Sequence, residues 1–170
     1  VGVDTAAYAG KTQFSDVGPN AWYAPYVAFA KRYGIANGYL DGTFRPEQPV
    51  SRAELVKLIA SYFTVEGGTS PFPDVPDGHW AAEVVSFAAE EGWVSGYPDG
   101  TFRPDAPVSR AEAVKILNHA LDRRAGERAA ALPFTDVEKG HWACDEIREA
   151  AVSHIYRKSG EGETWLTYER

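Results

Sequence analysis

The chain has 170 residues, room for one domain of ordinary size or for a few small repeats that share a core. Lysine and arginine total 17 against 24 aspartates and glutamates, and the resulting net charge of −7 repels polyanions and disfavours nucleic acid as a partner. A 44% hydrophobic and 24% charged composition is that of a globular chain, no run approaches the ~18 apolar residues of a membrane span, and the single Cys144 excludes an intramolecular disulfide or a thiolate zinc cluster.

Val1 to Gly10 lacks the basic start and apolar core of a signal peptide, and residues 1–13 read as an N-terminal extension. From Phe14 onward the chain repeats. A shift of 58 residues lays Phe14–Phe63 on Phe72–Leu121 without a gap and matches 25 of 50 positions, where composition alone gives roughly one in sixteen. Linkers fall at 64–71 and 122–133, both expected to be exposed, and a third copy opens at Phe134 with F-T-D-V-E-K-G-H-W. That copy follows the pattern only to about Ala151, so 134–170 is an incomplete repeat with a divergent tail.

Each unit starts with F-x-D-V, a bend and an amphipathic helix. Its apolar stripe is read as Trp22, Tyr26, Phe29 and Ala30, then Trp80, Val84, Phe87 and Ala88, and in the third unit Trp142, Ile147, Ala150 and Ala151. Gly34 and Gly92 stand where a left-handed C-cap ends the helix. G-Y-L-D-G-T-F-R-P and G-Y-P-D-G-T-F-R-P follow, dense in turn residues and expected to form a tight loop or minimal hairpin. The second helix opens on P-V-S-R-A-E. Ser51 with Glu54, and Ser109 with Glu112, are spaced as capping boxes. One helix pair buries too little to stand alone, so the units are expected to share a core, with the first helices meeting at its centre.

The duplicated loop and helix start is the strongest site signal. Arg52 and Arg110 occupy the first helical position, where free N–H groups and the helix dipole favour an anion such as a carboxylate; the alternative is an internal pair with Asp41, Asp99 or a glutamate. Glu54 and Glu112 read first as capping acceptors, and Arg45 and Arg103 as guanidiniums stacked on a ring or paired with Asp41 and Asp99. Trp22, Trp80 and Trp142 recur at equivalent helix starts, either as core or as half-exposed platforms for a sugar. His79 and His141 lack ligand companions at a metal spacing, and the loops place Arg52 and Arg110 where a calcium hand needs glutamate, so no metal or other cofactor is expected. No nucleophile motif is present and no enzymatic activity is expected. Repeated cationic loops suit repeated ligand contacts.

F-x-D-V…W-A, G-Y-x-D-G-T-F-R-P and V-S-R-A-E together resemble the S-layer homology domain, over Phe14–Leu121 fully and Phe134 to about Ala151 in part. The resemblance implies a mainly α fold: three tandem helix-loop-helix repeats in a pseudo-threefold arrangement around a central three-helix bundle, the third incomplete. It implies an extracellular module at the bacterial cell surface that binds a secondary cell wall polymer, typically through pyruvylated N-acetylmannosamine, and tethers a surface or S-layer protein. The family's groove residues map to Arg52, Arg110, Glu54, Glu112, Trp22, Trp80, Trp142, Gly38 and Gly96. Its alternatives are a lattice or protein-interaction module that self-associates, and an anchor gripping peptidoglycan in a diderm envelope. The third copy has no R-A-E motif, so no arginine role passes to Arg148 or Arg157.

Overall fold

A computed structural model describes residues 4, 6–123, 132–159 and 162–168. The protein is mainly α. Its described helices are α1 (Ala24–Arg32), α2 (Arg52–Ala60), α3 (Ala82–Glu90), α4 (Arg110–Ala120) and α5 (Cys144–Ala151), after a 3-10 turn at Ala6–Tyr8 and before strands β1 (His154–Ser159) and β2 (Gly162–Tyr168).

The chain divides into two compact units, Val1–Val50 with Ser61–Thr64, and Ser51–Ala60 with Val65–Arg170. α2 therefore leaves the repeat in which the sequence places it and packs with the second. In the first unit Phe14, Val17, Ala24 and Val27 are buried, with Ala21, Tyr23 and Phe44 against them. In the second, α2 supplies Ala53, Val56, Ile59 and Ala60, α3 supplies Ala82, Val85 and Ala88, and α4 supplies Ile116 and Ala120 to one core around the fully buried Phe102. α2 packs on α3 and α4, and α4 on α5. The helices meeting in this core are thus α2, α3 and α4; α3 and α5 each neighbour the second helix of the preceding repeat instead of one another.

Capping follows the sequence. Gly34 and Gly92 take φ of +71° and +72°, and the next residues' N–H groups close the ends, Ile35 to the Ala30 carbonyl at 2.9 Å and Trp93 to that of Ala88 at 2.8 Å. At α4 both halves of the box form: Glu112 N–H donates to Ser109 Oγ and Ser109 N–H to the Glu112 carboxylate. Ser51 and Glu54 exchange the same two bonds at α2.

The apolar stripe is turned by about one residue from the expected one. α3 buries Ala82, Val85, Ser86 and Ala88, whereas Trp80 is exposed; α1 buries Ala24, Val27 and Ala28, whereas Trp22 and Tyr26 are exposed. At the third helix Ala143 and Cys144 are buried and Ala150 and Ala151 face solvent. In α3 and α5 small residues win the core because the second helix of the preceding repeat packs there, and a ring at that place would hold the two helices apart.

Part of the first linker is docked instead of merely exposed. The fully buried Ser86 donates to the Thr69 carbonyl at 3.0 Å, and a Cβ on Gly68 would lie 2.6 Å from Ser86 Oγ. Residues 124–131 of the second linker lie outside the described residues. The sequence reads the tail as divergent, with Trp165 a candidate cover for what the missing second helix leaves open; it forms an antiparallel pair with His154 opposite Tyr168, a bulge after Ile155, and Ser159 opposite Gly162. The Trp165 side chain lies outside the described residues. β1 starts beside α5, where the fully buried Glu149 pairs with Arg123 at 3.1 Å and lies 3.2 Å from His154 Nε2.

Gly38 and Gly96 have φ of +72° and +70°, and a Cβ there would meet the F-x-D-V phenylalanine ring of the same repeat at 2.2 and 2.5 Å. Gly100 also has positive φ but open space around it. Gly100→Ala should cost about 1–2 kcal/mol for the left-handed backbone alone, and Gly96→Ala clearly more, as an additional drop in the urea midpoint; equal midpoints would refute the steric part.

Candidate functional site

Both loops are built on one device. The Asp16 carboxylate accepts the N–H of Phe44 at 2.8 Å and of Arg45 at 2.7 Å, and Asp74 accepts those of Phe102 at 2.9 Å and Arg103 at 2.7 Å. Two successive N–H groups aimed at one carboxylate require an unusual backbone, and Arg45 and Arg103 sit at φ of +59° and +58°. Next to this clasp Asp41 accepts the Thr43 N–H and hydroxyl and pairs with Arg45 at 2.8 Å; Asp99, Thr101 and Arg103 repeat it. Each guanidinium stacks on its loop tyrosine, Arg45 at 4.0 Å from Tyr39 and Arg103 at 4.1 Å from Tyr97. Arg45 and Arg103 thus pin their loops by both routes that the sequence offered.

Hydrogen bonds set the acidities here. The Thr43 hydroxyl, then the Arg45 guanidinium, hold Asp41 at about 2, and Thr101 with Arg103 hold Asp99 lower still. The Phe44 N–H is the main reason that Asp16 is lowered; at Asp74 burial pushes upward but the Phe102 and Arg103 N–H groups outweigh it.

Arg52 and Arg110, equivalent in sequence, differ in structure. Arg52 is buried to 6% exposure: Nε donates to the Phe102 carbonyl at 2.9 Å, Nη1 to Glu112 at 2.9 Å, and the guanidinium lies 4.8 Å from the Tyr97 ring and 4.9 Å from that of Phe102. Its backbone is clasped too, with the Arg52 N–H donating to the Ala106 carbonyl and the Ala53 N–H to that of Pro104. Glu112 is saturated, since Oε1 accepts from Arg52 and Tyr97 while Oε2 accepts the Ser109 N–H and hydroxyl. Burial pushes Glu112 up, but the Tyr97 hydroxyl, Ser109 and Arg52 together leave it below its ordinary value. The same bond to Glu112 raises Tyr97. Arg110 by contrast is exposed and pairs with no acid among the described residues. The reason is topological: the acid that meets Arg52 comes from the next unit's second helix, and the unit after Arg110 has none.

The three tryptophans all lie at the surface, Trp22 at 81%, Trp80 at 52% and Trp142 at 59% exposure. Core packing is thereby ruled out for them. Lys57 Nζ stands 5.2 Å from the Trp80 ring centre and Lys115 Nζ 5.8 Å from that of Trp142, so the second helix of one repeat sets a cation over the ring of the next. Trp22 instead borders a cavity of about 290 Å³ with Tyr23, Val27, Phe44, Pro46 and Glu47. The lysines and Tyr97 were not singled out in the sequence; a shared helical position, five residues after each R-A-E arginine, is the signal that reveals the lysines. His79 and His141 accept the Ala81 and Ala143 N–H groups at 3.1 Å and serve as local helix-start acceptors. No group of three or more metal-binding side chains occurs among the described residues.

Two comparisons bear on this arrangement. The model of a family described as the S-layer homology domain matches residues 13–56 and 71–114. The chain is 34% identical over 165 residues to Cell surface glycoprotein 1 and 34% over 164 residues to a Cellulosome-anchoring protein, both of Acetivibrio thermocellus. These alignments cover 90% and 91% of the chain but only 7% and 36% of the relatives. An S-layer protein of Bacillus licheniformis is 40% identical over 116 residues, 62% of the chain and 13% of that protein.

Two outcomes follow for stability. Arg52→Ala, which strips Glu112 and Tyr97 of their buried partner, should cost about 3 kcal/mol, while Arg110→Ala should stay within about 0.5 kcal/mol, both read from urea unfolding. Aspartates held below their ordinary value contribute stability that is complete above about pH 4 and lost as the pH falls toward about 2. The unfolding midpoint should decline across that window, and Asp41→Asn with Asp99→Asn should flatten the decline.

Proposed function

Because the chain belongs to the S-layer homology domain family, we propose that it is a non-catalytic anchor that holds a bacterial surface protein to a secondary cell wall polymer through an acidic terminal sugar of the pyruvylated N-acetylmannosamine kind. Members of this family are extracellular modules of the cell surface, and anchoring there is the function that the family supports. The finer reading rests on one observation. At Arg52 a carboxylate from Glu112 fills the site at the helix start; at Arg110 the equivalent place is open to solvent.

A pyruvate ketal brings a carboxylate on a compact sugar, and at Arg110 it takes the part that Glu112 plays at Arg52. Charge-assisted bonding of this type contributes roughly 1.5–3 kcal/mol. Trp142 with Lys115, and Trp80 with Lys57, offer a ring face for the sugar and a cation for its acid, and Trp22 offers a third exposed ring. Arg52, Glu54 and Glu112 shape the helix starts, and Gly38 and Gly96 let the loops close over their phenylalanines, so these five act by positioning. Arg52 retains one direct capacity, since its Nη2 makes no bond to a described residue.

Calorimetric titration with purified wall polymer tests the reading. Arg110→Ala and Trp142→Ala should each weaken binding at least tenfold, equivalent to about 1.4 kcal/mol, while leaving the unfolding midpoint in place. Equal affinity for polymer stripped of its pyruvate would remove the acid from the mechanism.

A further inference from the structure

The third F-x-D-V is a socket without its plug. In the first two copies the phenylalanine is covered, Phe14 at 7% and Phe72 at 8% exposure, each with a loop phenylalanine ring at 5.4 Å. Phe134 is 41% exposed. Asp16 and Asp74 each take two loop N–H groups, whereas Asp136 is exposed and bonds to no described residue. The helix start facing this copy shows the same deficit. Arg52 and Ala53 give their N–H groups to carbonyls of the next loop and Arg52 its guanidinium to that unit's glutamate, but the N–H groups of Arg110 and Ala111 and the Arg110 guanidinium have no partner among the described residues.

These deficits share one remedy. A single G-Y-x-D-G-T-F-R-P loop followed by an S-R-A-E helix start would cover Phe134 with its phenylalanine, give two successive N–H groups to Asp136, offer carbonyls to Arg110 and Ala111, and set a glutamate on Arg110 in place of the acidic sugar, so that the two occupants exclude each other. We propose that the third unit docks such a loop-and-helix segment supplied from outside these 170 residues, which completes the repeat. The second complete unit shows the geometry of the joint in full, because its own loop, from Gly96 onward, makes each of these contacts with Asp74 and α2. Exchange of these two loops between copies does not meet the need: residues 1–170 carry three F-x-D-V sockets and two loops, both already seated, so swapping them always leaves a socket empty. The occupant is therefore a further G-Y-x-D-G-T-F-R-P loop with an S-R-A-E helix start that is not already seated.

The probe is a synthetic peptide spanning Gly96–Leu121, added to the intact protein and followed by isotope-edited NMR and by the fluorescence of Trp142. Saturable binding with shifts confined to Phe134–Val137 and the start of α4 is the expected result. Asp136→Ala and Arg110→Gln in the protein, and Phe102→Ala in the peptide, should each weaken it at least tenfold. Neither protein substitution removes a contact present in the structure, so both variants should unfold at the parent urea midpoint. Absence of saturation up to millimolar peptide, or binding indifferent to Asp136→Ala, would overturn the proposal. So would sedimentation showing that the protein dimerises through this socket without peptide, a dimer that Asp136→Ala abolishes, because the occupant would then be a second copy.

Discussion

The joint between consecutive repeats depends on a buried guanidinium. Arg52 stands at the positive end of α2, where its charge is unfavourable, and it is nearly removed from water. Glu112 makes that placement tolerable. One of its oxygens neutralises Arg52 while the other completes the capping box of α4, so a single carboxylate closes two helix starts from different repeats. The pair is registered by backbone bonds on each side, from Arg52 to Ala106 and from Ala53 to Pro104. α2 consequently belongs structurally to the unit that follows it in sequence.

A second constraint acts within each repeat. The F-x-D-V aspartate presents two oxygens to two neighbouring N–H groups, a geometry that holds a non-glycine arginine in the left-handed region at a cost on the order of 1–3 kcal/mol. The loop glycine answers the same demand from the other side, since only a residue without Cβ lets the chain pass over the phenylalanine ring. Once the loop is fixed, the carbonyl of Phe102 and the ring of Tyr97 lie where Arg52 needs them. Local clasp and inter-repeat joint are therefore built in series.

Features carried by short-range chemistry were legible in the sequence. Ser-x-x-Glu, the C-terminal glycines, and arginines four residues after Asp41 and Asp99 announce contacts between residues a turn apart, and each formed. The repeat itself, and through it the mainly α class, was equally plain. Three things were not. Arg52 finds its acid 60 residues away, and nothing local distinguishes it from Arg110, whose surroundings differ only because the third unit stops short. The tryptophans fitted a helical apolar stripe, yet alanines one position away took the core, because periodicity alone does not tell which of two adjacent faces will meet the neighbouring helix. The strand pair in the tail went unread since its register follows from pairing with a segment that has no counterpart in the other copies.

A repeat that offers an arginine to the next repeat's glutamate, as Arg52 does to Glu112, leaves unmatched groups where the next repeat lacks that glutamate. In the interior the two charges cancel and the groups serve cohesion, leaving little of Arg52 to meet a ligand. At the broken end the same residue type sits in the same helical position with its hydrogen-bonding capacity intact, and so do Asp136 and the ring of Phe134. Divergence of the sequence after Ala151 thus leaves exposed the residue types that elsewhere hold the fold together, with their bonding capacity turned outward. The stability forgone is one joint; the recognition chemistry gained is a cation, a carboxylate and an aromatic face that the two complete copies use internally.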